Sequence, residues 1–262
     1  MKGRLTRAGV DPDNVGDPFA AWCRLRSEYG SRATLIDLYA LLAHKKGIAA
    51  HELSAADRQS LAVLALPIAF PGYEVISGSE RSTRDPIEIA SFDNSWPERY
   101  ETWRRHLSDA LGPTALRIEH IGSTAVQGLG AKPVIDIQVS VRDLRNEAAY
   151  VAVIEALGIQ FRSRDDEHRF FRPFSWLPRD VQVHVCSVGS RWEREHLLFR
   201  DYLRASHNAR DAYWRTKQRA AEIWRDDRIG YPDAKSECIQ DLLELAEEWA
   251  VRTGWSGAAA AS

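Results

Sequence analysis

His120-Ile121-Gly122-Ser123-Thr124, followed by Lys132-Pro133-Val134-Ile135-Asp136-Ile137-Gln138, decides the reading of this chain. A Gly-Ser pair stands just after an apolar strand. One short helix later, a second strand carries a carboxylate on one face. Glycine lets the backbone approach a phosphate closely, while Ser123 and the N–H groups of a helix start offer donors to anionic oxygens. Asp136 on the adjacent strand can then hold a divalent cation that neutralises the charge. Gln138 stands where a second carboxylate would strengthen such a metal site.

From Val134 to Val141 the residues alternate, with Ile135, Ile137, Val139 and Val141 on one face and Asp136, Gln138 and Ser140 on the other. Residues 180–186 repeat the pattern: Val181, Val183 and Val185 point inward, and Asp180, Gln182, His184 and Cys186 outward. Period-two alternation sets an apolar face on a core and a polar face toward solvent or a cleft. If the two strands are neighbours, Asp136 and His184 face one cleft. The competing reading is the ordinary polar face of a half-buried sheet. His120 falls on the apolar side of its strand with Ile118, which predicts a hydrogen-bonded core histidine; Glu119 falls on the other side, toward the cleft or a cross-strand ion pair.

The run Arg117-Ile118-Glu119-His120-Ile121-Gly122-Ser123-Thr124-Ala125-Val126, the Lys132–Ile137 strand and His168-Arg169-Phe170-Phe171 closely resemble the GrpB-like family of the nucleotidyltransferase superfamily. So do Leu198-Phe199-Arg200-Asp201-Tyr202-Leu203-Arg204 and the spaced Tyr213, Lys217, Tyr231 and Lys235, so that the resemblance covers residues 87–249. The superfamily pattern is a Gly-Ser turn, two carboxylates one residue apart on the next strand, and a third on a later strand. Gly122, Ser123 and Asp136 match it. Gln138 takes the second carboxylate position, and the third falls on the strand of His184. Gln182 and Gln127 replace the family's usual His and Pro. The resemblance implies a metal site of Asp136, Gln138 and His184, holding Mg²⁺ or the more His-tolerant Mn²⁺. It also implies nucleotide contacts from Gly122, Ser123, Arg169, Arg200, Tyr213, Lys217 and Lys235. For Arg169 a pairing with Asp165 or Asp166 is an equal reading, and for Tyr213 and Lys217, one turn apart, a charged solvated helix face is the usual explanation.

Around this centre, 262 residues with 44% hydrophobic and 27% charged side chains suit a globular chain with a core of its own. A net charge of −2 argues against bulk nucleic-acid binding and leaves a local basic cleft open. Three scattered cysteines, no apolar leader and no membrane-length apolar run predict a cytoplasmic protein with no membrane partner. The expected organisation is an N-terminal helical module at 1–76, a polar linker at 77–86, the family domain at 87–253 and a disordered tail at 254–262. Within the module, Ser54 ahead of Asp57 predicts a capped helix start. Within the domain, residues 87–92 read as a strand, 96–111 as a helix, 116–121 as the first cleft strand and 142–157 as a helix. Strands at 159–162 and 169–174 suggest a hairpin about Asp165-Asp166-Glu167, and helices follow at 191–205, 208–224 and 234–253. The stripe of Trp192, His196, Phe199 and Leu203 reads as core-facing. The fold expected is α+β, a mixed nucleotidyltransferase-like sheet flanked by helices and preceded by the small helical module.

The function these readings imply is transfer of a nucleoside monophosphate, AMP from ATP, to a small-molecule or protein acceptor. Asp136 and His184 are the expected catalytic residues. His184 is also the titrating group suited to act as base, a role that competes with metal ligation. The rival is a protein that binds a nucleotide or phospho-ligand without turning it over, for which the missing carboxylate at Gln138 speaks. A third reading is a different reaction, with the histidines on a transition metal.

Overall fold

The computed structural model describes residues 1–77 and 86–257; the linker expected at 77–86 and the tail expected at 254–262 fall mostly outside them. In chain order the elements are α1 (Lys2–Arg7), α2 (Pro18–Tyr29), α3 (Leu35–Lys46), α4 (Ala55–Ala69), β1 (Glu74–Val75), α5 (Trp96–Leu111), β2 (Arg117–Ile121), β3 (Ile135–Val141), α6 (Val151–Glu155), β4 (Ile159–Arg164), β5 (His168–Pro173), β6 (Val181–Ser187), α7 (Arg191–Ala205), α8 (His207–Ile223), α9 (Gly230–Asp233) and α10 (Ser236–Thr253). They divide into two compact units. One comprises residues 1–70 and 215–240, the other residues 71–77, 88–214 and 241–257.

The first unit is helical. Thr34 and Asp37 form a reciprocal capping box at the start of α3, and the Ser54 hydroxyl accepts the Asp57 N–H at 3.1 Å as the cap of α4. Trp22, Leu25, Leu38 and Tyr39 are fully buried, and the Trp22 indole donates to the Thr34 carbonyl at 2.8 Å. The 215–240 segment belongs to this unit through Trp224 beside Tyr39, Asp227 ion-paired to Arg58 at 2.9 Å, and Asp233 accepting the Ile36 N–H at 2.7 Å.

The second unit is built on a six-stranded sheet in the order β1-β4-β5-β6-β3-β2. Only β3 and β6 run parallel; the other neighbours are antiparallel, including the expected hairpin of β4 and β5. The alternation anticipated in β3 and β6 is realised, with Ile135, Ile137, Val139, Val181, Val183 and Val185 all fully buried. Their face packs against Trp96 and Leu107 of α5 and Ile154 of α6, and this is the main core. A helix on the opposite face is fixed by polar contacts: Ser140 of β3 donates to Glu193 of α7 at 2.5 Å. Ser190 caps α7 by accepting the Glu193 N–H at 3.2 Å.

Two elements depart from expectation. Residues 87–92 form no strand, only the bridge Ala90–Ala131, and the Ile87 N–H is taken by the Arg225 carbonyl. The helix expected over 142–157 shrinks to a 3-10 turn at Glu147–Ala149 and the five-residue α6. There the Asp143 carboxylate accepts the Arg145 N–H at 2.9 Å, a local turn that competes with helical pairing. No helix among the described residues is long and apolar enough to cross a membrane.

Candidate active site

Directly after β2 the chain turns at Gly122, whose φ of 70° lies in the left-handed region. A Cβ there would sit 3.0 Å from the Cβ of Asp136 and closer still to its carboxylate, so only glycine lets the turn pass. Ser123–Ala125 then makes one 3-10 turn, with the Ser123 side chain half-buried and its hydroxyl free of side-chain hydrogen bonds among the described residues. Thr124 pins the turn to β3 by donating to the Val134 carbonyl at 3.3 Å, and its hydroxyl meets His120 Nε2 at 2.9 Å. His120 is the core histidine its strand position predicts, stacked on Tyr100 of α5 at 4.7 Å. Burial first, then the Arg204 and Arg200 guanidiniums, pull its pKa down to about 4 against the opposing charge of Asp136.

On the polar face, the β3–β6 register pairs Asp136 with Gln182 and Gln138 with His184. The expected neighbourhood of Asp136 and His184 exists, with Asp136 Oδ1 lying 3.9 Å from His184 Nε2. Asp136 is half-buried at the mouth, whereas Gln138 and Ser140 lie wholly buried behind it. Gln138 donates weakly to Ser140 at 3.5 Å, and its Oε1 has no hydrogen-bond partner. Burial lowers the His184 pKa against the pull of Asp136, so its ring is held neutral, the form in which an imidazole ligates a metal or accepts a proton.

Three further side chains complete the pocket. His168 of β5 lies parallel to His184 at 5.8 Å and to Trp192 of α7 at 5.2 Å. Its Nδ1 is 2.6 Å from Asp165 Oδ2, an ion-pair distance without a linear hydrogen bond. Burial acts to raise the Asp165 pKa, but His168 and the backbone N–H groups of Glu167 and His168 outweigh it and hold the carboxylate low. Trp192 stacks on His196 at 3.6 Å and on His184 at 5.5 Å. Trp192 and His196 of the stripe read as core-facing therefore stand against His184, while Leu203 is buried as expected and Phe199 packs on Tyr213. The i, i+4 Trp–His pair was the available signal, since a core stripe has little use for a titratable ring.

The remaining sequence candidates scatter. Arg200 is buried on the cleft side and committed to protein: 2.7 Å to Glu119 Oε2, 2.7 Å to Asp201 Oδ1, and a bond to the His120 carbonyl. Arg169 points to the opposite, core side of the sheet, where it donates to Glu147 at 2.5 Å and to the Asp165 carbonyl. The acidic partner is Glu147, not the side chains of Asp165 or Asp166. Tyr213 is buried edge-on against Phe199 at 5.1 Å. Lys217 and Lys235 belong to the other compact unit, Lys217 fully buried and Lys235 over the Tyr231 ring at 4.2 Å.

Among the described residues no three His, Cys, Asp or Glu side chains converge as a metal cage. The donor set that is present, one half-buried carboxylate, a neutral imidazole and the unpartnered Gln138 oxygen, fits a divalent ion whose shell is completed by substrate oxygens.

Comparison with known proteins matches residues 86–245 to the family described as GrpB protein. A UPF0157 protein of Streptomyces coelicolor is 41% identical over 66% of this chain and 89% of its own. A UPF0157 protein of Halalkalibacterium halodurans is 36% identical with the same coverage. The crystal structure of GrpB from Enterococcus faecalis superposes with a TM-score of 0.56 at 26% identity, covering 64% of this chain and all of that one. Dephospho-CoA kinase of Mycobacterium tuberculosis is 30% identical over 66% of this chain and 49% of its own length.

Proposed function

The chain belongs to the GrpB family, and from that premise we propose that its cleft transfers a nucleoside monophosphate, AMP from ATP, to a small-molecule or protein acceptor. The observation that carries this reading is the closure of the turn onto Asp136: Gly122 lies against the half-buried Asp136 carboxylate, and Ser123 follows it in the chain. Gly122 and Ser123 would hold the β- and γ-phosphates through the backbone and the hydroxyl. Asp136 and His184, with Gln138 Oε1 behind them, would hold Mg²⁺ or Mn²⁺. When bound, the ion supplies charge neutralisation at the α-phosphate.

In the transfer the acceptor oxygen or nitrogen forms a bond to the α-phosphorus. The bond to the β-phosphate oxygen breaks, and pyrophosphate leaves. The acceptor's proton needs a base. With His184 turned to Asp136, His168 is the ring left for that role, set against Asp165 as its counter-charge. Trp192 and His196 wall the pocket from water.

The rival reading, a binding protein for a nucleotide or phospho-ligand, draws on the buried Gln138 standing in place of a second carboxylate. Calorimetry of ATP, GTP, CTP and UTP with and without Mg²⁺ or Mn²⁺, on wild type and Asp136→Ala, separates the two. Metal-dependent binding abolished by Asp136→Ala supports transfer. Binding indifferent to metal and to Asp136 favours the binding protein, and no binding of any nucleotide rejects transfer and the nucleotide form of its rival. The similarity to dephospho-CoA kinase is compatible with either, since the chain spans about half of that enzyme.

A further inference from the structure

A cleft of about 560 Å³ opens at the far end of the Gly122-Ser123 turn, lined by Ala125, Gln127, Arg204, His207 and Arg210. Its chemistry is positive. Arg204 is anchored by Nε and Nη2 to the Ala125 carbonyl at 3.0 and 2.9 Å, which fixes the guanidinium to the turn itself. Its remaining Nη1 reaches Asp201 at 3.2 Å, a carboxylate already held by Arg200 and by the Trp255 indole. Arg210 bonds only the Leu203 carbonyl and the His207 ring, with no carboxylate partner among the described residues. Arg200 and Arg204 thus share two carboxylates, Glu119 and Asp201, and Arg210 pairs with neither. The uncompensated charge falls at Arg210, on the wall of the cleft.

We propose that this cleft is a phosphate site, in which Arg210 and Arg204 receive a phosphate or polyphosphate group through charge-assisted, fork-shaped hydrogen bonds. Gln127 adds an amide donor at the rim, beside His207. Three residues of 3-10 turn span on the order of 6 Å, so Ser123 and the cleft wall at Ala125 lie within the length of one polyphosphate chain. Assigning the cleft to the terminal phosphates of the nucleotide rests on the transfer reading; its preference for phosphate does not. The other source of the same chemistry is a phosphate ester carried by the acceptor.

The test is calorimetry with pyrophosphate, tripolyphosphate, ATP, AMP and glycerol phosphate on wild type, Arg210→Gln, Arg210→Lys and Asp136→Ala, each checked for folding by circular dichroism. Arg210 is only half-buried, so its variants are expected to fold. The expected result is that Arg210→Gln weakens pyrophosphate and tripolyphosphate at least tenfold, Arg210→Lys less, and Asp136→Ala little. A parallel loss for ATP but not AMP assigns the cleft to the nucleotide's terminal phosphates. A loss confined to glycerol phosphate assigns it to the acceptor. Equal binding of every probe to wild type and Arg210→Gln, or no binding of any phosphate, overturns the proposal. Arg210-dependent pyrophosphate binding in a protein that shows no metal-dependent nucleotide binding would remove the transfer reading and leave the cleft standing.

Discussion

Glu119 of β2 and Gln138 of β3 are directly opposed across the strand pair, and the Glu119 carboxylate is held 2.7 Å from Arg200. A carboxylate at 138 would stand buried beside Glu119 and near the Ser140–Glu193 pair. That is the physical case for glutamine where the superfamily pattern has a second acid.

Replacing it tests the point. Gln138→Glu is expected to destabilise the protein at pH 7 by about 3 kcal/mol, the cost of an unpaired buried charge relieved in part by relaxation. Burial raises the pKa of the new acid, so the loss should be present above that pKa and fade as pH falls through it. Urea melts at pH 5 and pH 7 read the difference. A deficit equal at both would mean that shape, not charge, selects glutamine.

Arg200→Ala should cost about 3 kcal/mol, because it strands Glu119 while Asp201 keeps only Arg204 and the Trp255 indole. The double variant Arg200→Ala, Glu119→Gln removes the stranded acid and should recover part of that cost. A double-mutant cycle with no coupling would show that the pair acts only by packing.

Gly122→Ala meets both a left-handed φ and the side chain of Asp136. A loss of about 1–3 kcal/mol is expected from the backbone alone. Nucleotide binding should fall further than stability does, since Asp136 must move aside. A variant with wild-type affinity would detach the turn from the ligand.

The buried His120 makes stability depend on pH in a defined direction. Its folded pKa of about 4 lies below the unfolded value, so between the two the unfolded chain binds more protons and stability rises with pH. Going from pH 7 to pH 5 should cost about 2 kcal/mol from this residue. His120→Gln should flatten the slope of stability against pH over that interval, and an unchanged slope would transfer the effect to other groups.

What could be read without the structure followed from period-two alternation. That pattern placed Asp136 and His184 on one face and put His120 and Glu119 on opposite sides of β2, because strand geometry maps sequence parity directly onto sheet faces. The wall of the cleft was not legible in the same way. Trp192 and His196 obey a helical stripe whichever surface the helix covers, and only α7 lying across the polar face makes them part of the site. Arg169 has a motif position, yet its partner Glu147 comes from a turn where a helix was expected. Strand β1 arises in a segment whose prolines and glycine suggest only loop; its pairing with β4 is tertiary.

The lone parallel pair in the sheet also bears on how the protein comes to be active. Antiparallel hairpins close locally, but β3 and β6 can join only after the intervening β4 and β5 have been laid down, so their loop-closure entropy is paid late. Asp136 and His184 sit on those two strands, so the cleft is absent from any intermediate that holds only the hairpins. Truncating Val139 or Val185 should therefore speed unfolding more than it slows folding, in stopped-flow measurements. On that ordering, competence to bind a ligand is the last property the nascent chain acquires.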